Sequence, residues 1–119
     1  MKVILKRPGE CAKLGWLPDR HSMCDFCDGT IDSVSLFTPS GKQFFVVSNF
    51  EFFINKSLFN MWLGGTQFFG NIFVCGIGLN ESGVCDFVGL TDDDIEDIVR
   101  LLDWSDRDRV SLLSSCITP

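Results

Sequence analysis

Thr30-Ile31-Asp32-Ser33-Val34-Ser35-Leu36-Phe37, then Pro39-Ser40-Gly41-Lys42, then Gln43-Phe44-Phe45-Val46-Val47-Ser48 is the stretch that decides the fold. Ile31, Val34 and Leu36 stand among Asp32, Ser33 and Ser35, close to the two-residue period of a strand with one face covered. Pro39, Ser40 and Gly41 are turn formers, and the run from Phe44 to Val47 has the aromatic and β-branched make-up of a returning strand. The stretch therefore predicts a β-hairpin.

Outward from it, Met1–Lys6 is rich in Val and Ile and predicts a strand that ends at a Pro8-Gly9 turn. Glu10–Trp16 predicts a second strand. Asp19–Asp28 predicts a short helix with Met23, Phe26 and Cys27 on one side and Gly29 as its stop. Asn60–Gly65 (Asn-Met-Trp-Leu-Gly-Gly) is expected to be a helical turn ended by glycine, Phe68–Ile77 a buried strand, Asn80–Gly83 a loop and Cys85–Val88 a short edge strand. Thr91–Leu102 carries the strongest helix signal. Thr91 is a good N-cap, Asp94 stands three residues on as in a capping box, and Asp92 to Asp94 suit the positive end of the helix dipole. Ile95, Ile98, Val99 and Leu102 make one apolar stripe. Ser105 is placed to cap a short C-terminal helix with Val110, Leu112 and Leu113.

The expected architecture is α+β: a small, mostly antiparallel sheet with a β-hairpin, packed against one main C-terminal helix and one or two short helices. Residues 1–104 form a single domain and 105–119 a C-terminal extension packed on it. With 119 residues, 45% of them apolar and 22% charged, the chain can bury one core. It holds 12 Phe and no Tyr, more rings than so small a core needs, so an exposed aromatic patch is expected.

The net charge of −6 argues against direct binding to a nucleic-acid backbone. Charge is also segregated. Residues 1–20 hold five basic residues against two acidic, whereas residues 81–97 hold seven acidic residues and no base. Ser57–Asn80 has no charge, but five glycines and several asparagines favour buried strands and turns over a membrane span. No export signal precedes the domain, so a cytoplasmic location and reduced thiols are expected for the six cysteines.

Cys11, His21, Cys24 and Cys27 supply ligand types suited to zinc, with Cys24 and Cys27 at metal-ligand spacing. The usual second close pair is missing, and the favoured reading makes Cys24 and Cys27 small hydrophobes on a short helix. His21 is the only histidine, with no nucleophile motif near it. The glycines from Gly64 to Gly78 match neither a P-loop nor a dinucleotide fingerprint. No cofactor and no catalytic group are expected. Partner contact is expected at Asp92, Asp93, Asp94, Glu96 and Asp97, where an acidic helix start can steer a basic protein, and at Asn60, Trp62 and Asn71.

Met1-Lys2-Val3-Ile4, Pro8-Gly9, the hairpin, Asn60, Gly70-Asn71-Ile72-Phe73-Val74-Cys75-Gly76 and Asp86-Phe87-Val88-Gly89-Leu90-Thr91-Asp92-Asp93-Asp94-Ile95 follow one another in this order. Over about residues 1–103 the chain thereby resembles a family of small proteins of unknown function common in phages, plasmids and integrated elements of Firmicutes. The resemblance supplies no catalytic residue. It implies a mobile-element setting and an accessory protein that inhibits a host bacterial factor, such as a defence nuclease of a CRISPR or restriction system. Two other functions stay open: a nucleotide or other small-ligand binder of sponge type, using Gly64–Gly78, and a zinc-stabilised binding module. The protein is expected as a monomer or homodimer.

Overall fold

A computed structural model describes residues 1–51 and 57–102. Eight strands and two helices are seen there: β1 (Lys2–Lys6), β2 (Lys13–Trp16), α1 (Arg20–Cys27), β3 (Ile31–Phe37), β4 (Gln43–Asn49), β5 (Phe59–Leu63), β6 (Thr66–Phe69), β7 (Ile72–Leu79), β8 (Cys85–Val88), and α2, helical over residues 92–102. The fold is α+β, and every strand pairing is antiparallel. The main sheet has six strands. Five run in the order β2-β1-β7-β4-β3, and β8 is added to β7. β5 and β6 form a separate hairpin.

β7 organises the molecule. One edge pairs with β4 through Phe73–Gly76. The other edge is shared: β1 takes Ile72–Val74, and β8 takes Gly76–Leu79. β1 and β8 therefore lie in line, joined where the Leu90 amide donates to the Lys2 carbonyl at 2.9 Å. Ile72, Phe73, Val74 and Cys75 are all buried. They form an unbroken apolar run because both faces of this strand are covered.

Alternation sorts the sheet residues into two cores. Ile4, Phe44, Val46, Ile72 and Val74 pack on one face with Met61, Leu63 and Phe68 of the β5–β6 hairpin and with Leu90, Ile98 and Leu102. Val3, Ile31, Val47, Phe73 and Cys75 pack on the other face with Leu17 and with Met23 and Cys27 of α1. The two helices thus lie on opposite faces.

The β3–β4 hairpin forms as expected, in one continuous register from Ile31↔Asn49 to Phe37↔Gln43. α1 is capped by Asp19, whose carboxylate accepts from the Ser22 amide at 2.8 Å. This bond holds the Asp19 carboxyl below its usual range. The helix closes one residue before the glycine named as its stop, because Asp28 itself takes the left-handed conformation (φ 62°). The strand expected over Glu10–Trp16 is confined to Lys13–Trp16.

Asn60–Gly65 is not a helical turn. Met61 and Leu63 both face the core at strand spacing, and Gly64 and Gly65 (φ 58° and 79°) close the two-residue turn to β6. Successive positive φ values define the turn type that suits antiparallel strands. Phe68–Ile77 is likewise two strands, broken at Gly70 (φ 71°) and Asn71. The expected Ser105 helix and the 105–119 extension lie outside the described residues.

Candidate functional site

The acidic run from Asp92 to Asp97 opens α2, and its side chains serve several ends. Asp94 N donates to Thr91 Oγ1 at 3.2 Å and Thr91 N donates to Asp94 Oδ2 at 3.3 Å, which completes the capping box. Asp94 is buried, and its Oδ1 pairs with the ammonium of Lys42 at the tip of the β3–β4 hairpin. Asp92 pairs with Lys2 at 2.9 Å and Glu96 with Arg100 at 2.7 Å, both in exposed positions where such pairs contribute little. Among the described residues, Asp93 and Asp97 have no ion-pair partner.

Beside this pair lies a cavity of about 290 Å³ between α2, the hairpin tip and the end of β8. Thr38, Lys42, Gln43, Gly76, Thr91 and Asp94 supply its polar edge, and Phe44 and Ile98 its apolar wall. One cation, one carboxylate and several hydroxyl and amide groups around an apolar wall are what an uncharged or zwitterionic small molecule needs.

Asn60 and Asn71, expected at a partner surface, are engaged inside the fold. Asn60 is buried at the β5 bulge. Its amide donates to the carbonyls of Lys6 (2.8 Å) and Gly70 (2.7 Å), and its Oδ1 accepts from the buried Lys6 ammonium at 3.1 Å. Asn71 donates to the Phe26 carbonyl at 2.9 Å and ties β7 to α1. Trp62 remains exposed on the outer side of its hairpin.

The metal candidates are not brought together. Among the described residues, no three His, Cys, Asp or Glu side chains are grouped so as to hold a metal ion. Cys11 is exposed, His21 lies along α1 at 3.3 Å from Asp25, and Cys27 is buried in the core. Burial pushes the Cys27 thiol up to about 12, with Cys24 and Asp28 adding to the rise; burial, then Asp86, does the same for Cys75. Neither is a thiolate at neutral pH. The glycines have structural work. A Cβ at Gly78 would stand 2.6 Å from a Val88 methyl, so this position is needed for β8 to approach β7.

The feature that residue-by-residue reading missed is on the α1 side of the sheet. Register places Phe37, Gln43, Ile77 and Phe87 in one row across β3, β4, β7 and β8, with Ser35 and Phe45 in the row below and Leu79 and Cys85 above. α1 is only eight residues long, and of these rows only Phe45 and Phe87 pack against the core that it closes. Phe37 is 62% and Leu79 71% exposed, and Phe45, Ile77 and Phe87 are half-buried. Phe87 meets Phe45 and Phe73 edge to face, at centroid distances of 5.2 and 6.3 Å. No residue these strands turn to this side carries a charge, whereas Asp32 and Asp86 of the same strands point to the other. The surplus of Phe signalled such a patch. Its members could be assembled only once the strand order was known.

No described helix is long and apolar enough to cross a membrane. Comparison with curated proteins and with solved structures gives no match. Residues 1–103 match the family model for a domain of unknown function, DUF3846, and the chain belongs to that family.

Proposed function

We propose that this protein is a non-catalytic docking domain whose uncharged aromatic sheet surface captures a protein partner. The observation that supports it is the row of Phe37, Ile77 and Phe87 with Leu79 above it, partly exposed where β3, β4, β7 and β8 turn no charge to this side. Contiguous apolar surface with aromatic anchors is the usual core of a protein interface. The mobile-element setting implied by the resemblance in sequence would make a host bacterial protein, a defence nuclease among the candidates, the factor bound and inhibited. Asp93 and Asp97 on α2 lie on the opposite side of the sheet and would favour a basic partner through the long-range field.

Affinity capture from bacterial lysate tests this when the wild-type chain is compared with a Leu79→Asp, Gln43→Glu variant of unchanged thermal stability. A protein retained by the wild type and released by the variant is expected. Equal retention by both removes the aromatic face from consideration.

A second reading rests on the cavity beside Lys42 and Asp94, whose mixed lining fits a small ligand. Thermal-shift screening of nucleotides and amino acids tests it, since a ligand that binds only the folded state raises the transition temperature. The shift is expected to vanish in Lys42→Ala. Absence of any shift at millimolar ligand removes this reading.

A further inference from the structure

We infer that β3 is a self-pairing edge, through which two copies of this chain join their sheets in an antiparallel, two-fold dimer. This goes beyond the docking function, and it is tested on the protein alone, so either can fail without the other.

Among the described residues β3 pairs only with β4. The Thr38 amide donates to Lys42 (2.8 Å) and the Phe50 amide to Thr30 (2.7 Å), so the even-numbered residues of β3 turn their backbone groups towards β4. Ile31, Ser33, Ser35 and Phe37 consequently point theirs away from the sheet. Free edges are usually kept short, charged, bulged or interrupted by proline, because an open row of backbone groups recruits another strand. β2 and β8 follow this rule. Each has four residues; β2 begins with Lys13, and in β8 the Asp86 carboxylate accepts from the Phe87 amide at 2.7 Å. β3 does not. It has seven residues, no lysine, no proline and an unbroken register. Its one charge, Asp32, accepts from the Ser33 amide at 2.8 Å, and pairing requires only that this carboxylate turn aside.

The occupant follows from the strand's own sequence. An antiparallel pair centred on Val34 sets Ile31 opposite Phe37 of the second copy, Ser33 opposite Ser35, Asp32 opposite Leu36 and Val34 opposite itself. All four outward-pointing residues then meet outward-pointing residues, as the ladder requires. Phe37, exposed here, gains an aliphatic neighbour; serine meets serine; no like charges stand opposite one another. Centring on Ser33 or Ser35 instead pairs only residues 31–35 or 33–37. Such a contact is isologous and closes on itself, so it stops at two copies.

Sedimentation of the full chain from low micromolar to several hundred micromolar is the test. A concentration-dependent dimer is expected. Ser35→Pro removes an outward-facing amide hydrogen and also the Ser35 hydroxyl that accepts from Gln43 Nε2, so Ser35→Ala, which loses the hydroxyl alone, is its reference. Relative to Ser35→Ala it should weaken the dimer by about tenfold or more, about 1.4 kcal/mol of association free energy, with the same unfolding transition. The register has its own readout in a background with Cys11, Cys24, Cys85 and Cys116 changed to serine, which leaves only the buried Cys27 and Cys75. Val34→Cys places two thiols across the two-fold axis, where facing side chains are closest, and should form a covalent dimer on mild oxidation; Leu36→Cys should not. A wild-type chain that stays monomeric throughout overturns the inference. So does a dimer undiminished by Ser35→Pro. Should Ser35→Pro fail to fold, the cysteine pair decides, and equal cross-linking of both variants rejects the register.

Discussion

The α1-side face of the sheet has two halves built from the same kinds of residue. In one half Val3, Val47, Phe73 and Cys75 lie under α1 and are buried. In the other, Ile77 and Leu79 continue β7 and, with Phe37 of β3 and Phe87 of β8, stay open or half-open. Alternation decides which side of a strand is apolar, but a helix of eight residues is about 12 Å long and shields only part of the surface beneath it. The first half therefore works as core, and the second is the surface we assign to a partner.

Cutting into each half should separate them sharply. Phe73→Ala empties a site with no exposure and should cost about 3–5 kcal/mol, read as a shift in the denaturant midpoint. The two cysteines of this face make a chemical version of the contrast. Cys75, buried and with its thiol pushed up to about 12, should react far more slowly with a thiol reagent near neutral pH than exposed Cys85. The same rise in Cys27 and Cys75 has a pH signature. Their folded-state values lie above the unfolded value, so the stability they support is fully present below pH 9.0 and is lost as pH climbs towards about 12. Alkaline titration by circular dichroism should show this loss, and a Cys75→Ala chain should lose less over the same interval.

On the α2 side the expected effects are smaller. Asn60→Ala leaves the carbonyls of Lys6 and Gly70 without their donor and should cost about 1–3 kcal/mol in chemical denaturation. Thr91→Ala removes the cap of α2 and should cost about 1 kcal/mol. Smallest of all is Leu79→Asp in the open half, where a change within about 0.5 kcal/mol is expected. Were that substitution to unfold the protein, the open half would be core after all, and the docking surface would have to be sought elsewhere.

Much of the fold was legible along the chain. The β3–β4 hairpin and the capped start of α2 are local events, specified by side-chain period and by residues three apart in sequence. The Asn60–Gly65 segment was misread because a short apolar run ending in two glycines suits a helix stop as well as a hairpin. Only its pairing with β6 and the inward-facing Met61 and Leu63 distinguish the two. Of the expected contact residues, Asn60 and Asn71 proved to be internal ties. An asparagine binding a ligand and one holding a distant carbonyl look alike until the 54-residue separation between Asn60 and Lys6 is closed.

By itself, then, the sequence determined the α+β class, the hairpin, the last helix and the excess of aromatic side chains, because each depends on neighbours in the chain or on composition. Tertiary structure alone decided that β7 has three partners, that the helices take opposite faces, and that Phe37, Ile77 and Phe87 stand in one partly exposed row to which β3, β4, β7 and β8 add no charge. Those facts depend on strand order and on where a short helix stops covering a sheet, and both are set by contacts between residues far apart in the chain.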